Sequence, residues 1–203
     1  MFKQAGMAAA LFLLAHTAWA QGSRLDLSIN VGEAFSKESS GNGVVLTPTN
    51  NPTVFGTARF YLGKKAGLEL TVGKTSNTQK YNTALFTYEI PTGTTEYTAA
   101  FLYRPFAWGK YETFILGGAG ALRFYPSYYA TVNGLQFPLN AQTQTRPAFL
   151  YGFGVDYRAY WKFAVRVQYR GIFYRAPGFG VSGLDPSATG HLAEPSVGLV
   201  FKF

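Results

Sequence analysis

Apolar and polar residues alternate with a period of two in eight separate stretches of this chain. That period puts successive side chains on opposite faces, so each stretch predicts a strand with one apolar face. Over residues 24–35, Leu25, Leu27, Ile29 and Val31 take one face and Arg24, Asp26, Ser28 and Asn30 the other. In 54–62, Val54, Ala58, Phe60 and Leu62 oppose Thr53, Thr57 and Arg59; in 67–75, Leu68, Leu70 and Val72 oppose Glu69 and Thr71. A fourth stretch from Glu96 sets Tyr97, Ala99, Phe101 and Tyr103 against Thr98, Ala100 and Arg104. The fifth, 111–125, is rich in glycine (Gly117, Gly118, Gly120) and carries apolar residues on both parities; Arg123 on one of them favours Phe114, Leu116, Leu122 and Phe124 as the outward face. The sixth alternates Pro147, Phe149, Tyr151, Phe153, Val155 and Tyr157 with Arg146, Gly152, Gly154, Asp156 and Arg158. The seventh alternates Phe163, Val165, Val167, Tyr169 and Phe173 with Arg166, Gln168 and Arg170. In the last, Val197, Leu199, Phe201 and Phe203 alternate with Ser196, Gly198, Val200 and Lys202.

The connections have a rhythm of their own. Long polar stretches at 36–52, 76–95, 126–145 and 176–193 are expected as loops, and they alternate with short turns at 63–66, 105–110 and near 160–162. Such a meander has both ends on the side of the short turns. Hydrocarbon offers no water to backbone groups, so a sheet that faces lipid must close on itself. An even strand number, short turns on one side and long loops on the other predict an all-β fold: an eight-stranded antiparallel up-and-down transmembrane β-barrel. Aromatics gather at two of the short turns, Tyr103, Phe106, Trp108 and Tyr111 at one and Tyr157, Tyr160, Trp161 and Phe163 at the other, as interfacial belts do.

Residues 1–20 read as a leader. Lys3 is its positive start, Met7 to Ala15 its apolar run, and Ala18-Trp19-Ala20 its cleavage site, which leaves 21–203 as one barrel domain. His16 interrupts the apolar run well short of the ~20 residues of a membrane helix. Loss of Lys3 lowers the formal charge from +8 to +7. There is no cysteine, so the fold relies on no disulfide. Charged residues make up 14 % of the chain against about 25 % in a usual soluble domain, while aromatics reach 17 %. Lys and Arg stand singly among the strands, which argues against nucleic-acid binding.

The run Gly152-Phe153-Gly154-Val155-Asp156-Tyr157-Arg158, then Trp161 and Arg166-Val167-Gln168-Tyr169-Arg170, resembles the pattern of small OmpA-like and OmpX-like outer-membrane barrels, most strongly over 150–203. Ser196, Gly198, Phe201 and Phe203 similarly resemble the C-terminal assembly signal of bacterial outer-membrane barrels. The resemblance implies an integral protein of the bacterial outer membrane, surrounded by outer-membrane lipid and lipopolysaccharide and inserted by the barrel assembly machinery. A monomer is expected. OmpA's peptidoglycan-binding domain has no counterpart here, so cell-wall anchoring does not carry over.

The polar faces collect Arg59, Glu69, Glu96, Arg104, Arg123, Arg146, Asp156, Arg158, Arg166, Arg170 and Lys202. On the lipid face near the midplane a Lys or Arg costs about 2–4 kcal/mol, so all of these are expected in the lumen. They form either a structural network of ion pairs or, since cations outnumber carboxylates, a narrow gated pore that favours anions. Eight strands enclose an interior just wide enough for its own side chains, which favours the network. A lipid A-modifying enzyme would need a hydroxyl beside a base. After cleavage only His191 remains as a histidine, and Ser196 falls on the opposite strand face; Ser187 and Asp185 would need loop geometry to reach it. A lipocalin-like carrier is at odds with an apolar outer face on every strand. No cofactor or metal is called for, and the role is expected to be structural, adhesive or surface-interacting, through the four long loops. The mature protein is predicted to fractionate with outer membranes and to migrate faster on gels unheated than boiled. Recovery as a soluble periplasmic protein would contradict the barrel.

Overall fold

A computed structural model describes residues 25–181 and 183–203; the expected leader lies outside them. Eight long strands build the fold: β1 (Leu25–Ser36), β2 (Asn51–Tyr61), β3 (Ala66–Asn82), β4 (Thr87–Tyr103), β5 (Tyr111–Pro126), β6 (Gln144–Tyr160), β7 (Phe163–Arg175) and β8 (Thr189–Lys202). Each pairs antiparallel with the next, and β8 returns to pair with β1, setting Asp26 opposite Lys202, Asn30 opposite Gly198 and Val31 opposite Val197. The amide of Phe203 donates to the Leu25 carbonyl at 3.0 Å and extends this seam. The sheet is a closed eight-stranded antiparallel barrel, so these strands leave no open edge in the wall.

The alternation read from the sequence places the outer surface. Ile29 (68 %), Leu199 (69 %) and Phe149 (67 %) are exposed, whereas Asp26, Ser28, Asn30, Thr57 and Arg59 are buried inside. Phe106, Trp108, Tyr160 and Trp161 stand exposed around the end that carries the short turns.

The fifth strand departs from expectation. Phe114, Leu116, Leu122 and Phe124 face inward and are buried, and Arg123 faces outward, its guanidinium 5.1 Å from the Tyr125 ring centre. The facing follows from strand pairing. Glu112 lies opposite Asp156 and Leu122 opposite Glu96, which commits the even-numbered positions to the interior. Gly118 and Gly120 share that face, where a Cβ would collide with the carbonyls of Ala99 and Tyr97. Close approach of β4 to β5 explains these two glycines.

The expected loop at 76–95 is also mostly strand. Beyond the wall, β3 and β4 stay paired from Ser76–Gly93 to Asn82–Thr87. Outside lipid neither face needs to be apolar, so the alternation signal vanishes, while Thr-rich cross-strand pairs still favour a sheet. Short hairpins from the flanking connections join it: Val44–Pro48 pairs with β3 and Tyr129–Val132 with the start of β4. The segment 176–188 folds against this extension. The Tyr81 hydroxyl donates to the Pro177 carbonyl at 2.8 Å, and the Gln142 amide to the Phe179 carbonyl at 2.9 Å.

Removing Phe203, or making it charged, should sharply lower the heat-modifiable fraction recovered from membranes. Its amide belongs to the closing seam and its ring to the turn-end aromatic belt. Ser40→Ala, on an exposed hairpin, should leave that fraction unchanged. Equal yields for the Phe203 deletion and wild type would contradict the importance assigned to the seam.

Candidate functional site

The interior holds the chemistry, in three layers. In the middle, Arg59, Arg166 and Arg170 are the largest fully buried side chains. Arg166 makes a two-pronged contact with Asp156, Nε to Oδ1 at 2.7 Å and a terminal nitrogen to Oδ2 at 2.9 Å, and also donates to Ser28 and Thr57. Arg59 donates from Nε to Glu69 at 2.5 Å and lies 3.5 Å from Asp156, its guanidinium 3.8 Å from the Phe114 ring centre. Arg170 binds Glu96 and reaches Glu194 at 3.3 Å, with the Phe55 ring centre 4.5 Å from its guanidinium. Three of these contacts are between register neighbours, Arg59–Glu69, Asp156–Arg166 and Arg170–Glu194. Others cross the barrel, from β7 to β4 and from β2 to β6. The charges therefore tie opposite walls together.

Above them, toward the long loops, the interior turns apolar. Leu122, Phe124, Leu150, Ile172, Tyr174 and Leu192 fill it, and Phe179 and Leu184 pack into the same cluster from the segment 176–188. Below, at the turn end, lies a cavity of about 1030 Å³. Glu112 sits there and accepts from Arg158 at 2.6 Å, Lys202 at 2.7 Å and Arg104 at 3.0 Å; nearby the Tyr61 hydroxyl donates to Asp26 at 2.7 Å.

Of the charges expected inside, Arg59, Glu69, Glu96, Asp156, Arg166 and Arg170 lie in the middle layer, with Arg104, Arg158 and Lys202 at the turn end. Arg146 is half-buried near the loop end and donates to Gln144. Arg123 is the correction, placed on the outer surface by the facing of β5. Sequence reasoning passed over three interior carboxylates, Asp26, Glu112 and Glu194. Asp26 and Glu194 share strand parity with Ser28 and Ser196, which was the available signal; Glu112 shares it with Phe114, read from the sequence as outward, so its inward place follows only from strand pairing. Once they are included, the excess of cations that suggested an anion-favouring pore shrinks to near balance. Of the residues that resemble an assembly signal, Ser196 and Gly198 face the interior, and the rings of Phe201 and Phe203 meet outside it at 4.8 Å.

The sequence matches the outer membrane protein beta-barrel domain over residues 6–203. The chain belongs to that family. It is an integral protein of the bacterial outer membrane, and barrels of that kind keep their short turns in the periplasm and their long loops outside the cell. No curated protein matches the sequence. Among solved structures, Neisserial surface protein A is 12 % identical with a TM-score of 0.58, the match covering 90 % of this chain and 99 % of that one. A major outer membrane protein from Thermus thermophilus is 12 % identical with a TM-score of 0.55, over 88 % and 99 % of the two chains. Outer membrane protein AlkL is 14 % identical with a TM-score of 0.50, over 90 % of each. At these identities the likeness is one of fold.

In this outer-membrane barrel His191 lies on the outer wall of β8. Its Nε2 is 3.1 Å from the Tyr151 hydroxyl, and its ring centre is 4.7 Å from that of Phe173. Ser196 points inward, and the Ser187 hydroxyl pairs with Arg175 instead.

Asp156→Ala should destabilise the refolded barrel by about 3–5 kcal/mol, because it strands the buried Arg166 and weakens the hold on Arg59. Asp156→Leu combined with Arg166→Met should recover most of that loss. Urea unfolding in detergent micelles measures both. A loss below about 1 kcal/mol for the single variant, the range of exposed pairs, would contradict the network.

Proposed function

We propose that this barrel acts at the cell surface, where its extracellular sheet holds an external partner, and that the wall serves as its anchor. The observation that carries this reading is an apolar set on the hairpins beyond the membrane. Leu85 (81 %), Tyr128 (79 %) and Leu135 (65 %) are exposed, together with Phe86 and Phe137. The hairpin Tyr129–Val132/Leu135–Pro138 pairs with the start of β4, next to the turn that holds Leu85 and Phe86. Apolar side chains offered to water on a rigid extension mark interaction surfaces. The long cross-strand ladder of β3 and β4 supplies the rigidity.

In this reading the protein is a monomer, contacts outer-membrane lipid and lipopolysaccharide through its apolar band, and is inserted by the barrel assembly machinery through β8. It is neither an enzyme nor a channel. His191 is engaged by aromatic neighbours and not by a serine, and the interior is filled by ion pairs below an apolar layer.

The test is retention of bacteria on immobilised extracellular-matrix protein and on epithelial cells. Cells displaying the wild type should be retained, and cells displaying Leu85→Ser/Phe86→Ser/Leu135→Ser/Phe137→Ser should fall to the level of cells without the protein. Both variants should be present in membranes in equal heat-modifiable amounts. Equal retention of the two would contradict the proposal.

A further inference from the structure

The charge of the interior is unevenly distributed. In the middle layer three arginines face four carboxylates, Glu69, Glu96, Asp156 and Glu194. At the periplasmic mouth the balance reverses, with six cations and two carboxylates lining the cavity. Glu112 is already shared by three of the cations, and Asp26 accepts from Tyr61. Lys64, Lys65 and Lys162 come from two of the short turns and make no ion pair among the described residues. The Nε of Arg104 is buried there without a hydrogen-bond partner. Like charges that line a concave, low-dielectric wall focus a potential that draws anions in.

We propose that this periplasmic vestibule binds a phosphate-bearing anion. The guanidiniums of Arg104 and Arg158 meet at Glu112; Arg104 spends its other terminal nitrogen on the Lys64 carbonyl, whereas the exposed Arg158 gives Glu112 one nitrogen and keeps the rest of its planar fork for the oxygens of a phosphate. Ammonium groups around the rim supply further donors. Trp161 guards the entrance from a left-handed backbone conformation (φ +45°), unfavourable for a bulky residue, with the Lys162 ammonium 5.2 Å from its ring centre. The mouth lies at the level of the interfacial aromatics, with Phe203 in its lining, so two sources can reach it: the headgroup of an inner-leaflet phospholipid or free phosphate in the periplasm. The site lies at the opposite end from the extracellular sheet and does not depend on its role.

Trp161 lines the vestibule, whereas Trp108 is outside that lining and 86 % exposed, so Trp108→Phe leaves a mature chain with one tryptophan at the site. The emission of Trp161 is followed while inorganic phosphate is added to the refolded protein in zwitterionic micelles, with chloride at matched ionic strength as reference. A second arm places the protein in phosphatidylcholine nanodiscs with increasing phosphatidylglycerol. A saturable change is expected in at least one arm. Lys64→Gln/Lys65→Gln/Arg158→Gln, all at exposed positions, should weaken it by about tenfold or more. A response to inorganic phosphate supports the site with free anion as its source. A response to phosphatidylglycerol alone supports it with the lipid headgroup. No saturable response in either arm, or equal affinity in the triple variant, overturns the proposal.

Discussion

Everything in this molecule follows from one constraint: a backbone amide or carbonyl that faces hydrocarbon must find its partner within the sheet. The β8–β1 seam meets it by joining the last strand to the first, residue by residue from Gly32–Ser196 to Asp26–Lys202. Closure then divides every strand. One parity faces lipid and must be apolar; the other faces a narrow interior and must fill it. Charges have only that interior, or the two rims, as inexpensive places to reside.

Within the interior the same logic repeats. Buried arginines are tolerable only when paired, and Arg59, Arg166 and Arg170 each reach polar or carboxylate partners on more than one strand. Contacts from β7 to β4 and from β2 to β6 brace the wall across its diameter. Pairing also forces specialisation along the axis. The middle is neutralised, the extracellular side is filled by Phe124, Leu150, Ile172 and Phe179, and unneutralised positive charge is left at the periplasmic mouth. The anchor, the extracellular sheet and the vestibule are thus three consequences of one closed wall.

Much of this was legible in the sequence because period two is a strong signal wherever one face meets lipid. Ile29, Val31, Val197 and Leu199 could hardly face elsewhere. The ion pairs between register neighbours across a short turn, Arg59–Glu69 and Asp156–Arg166, follow from hairpins of known turn position. The signal weakens where its physical cause does. In β5 both faces are apolar, since Phe114 and Phe124 pack inside while Ile115 meets lipid, and Arg123 near the loop end can face outward without entering the midplane. Its charge marks a rim and not the lumen, a distinction that depends on height along the barrel axis. The Thr- and Asn-rich run after Thr75 reads as a loop because alternation is not required outside the membrane, yet it is paired strand. Contacts across the barrel, such as Arg170 with Glu96, depend on strand tilt and stagger, which no local pattern encodes.

In the proposed reading, paired charges and an apolar layer close this barrel, leaving it open only toward the periplasm. Planar-bilayer recording of the refolded protein tests it most directly. The account predicts a bilayer that remains electrically silent after insertion, verified by heat-modifiable protein recovered from the same membrane. Steady unitary current steps with anion selectivity would contradict it and make the interior a conducting path.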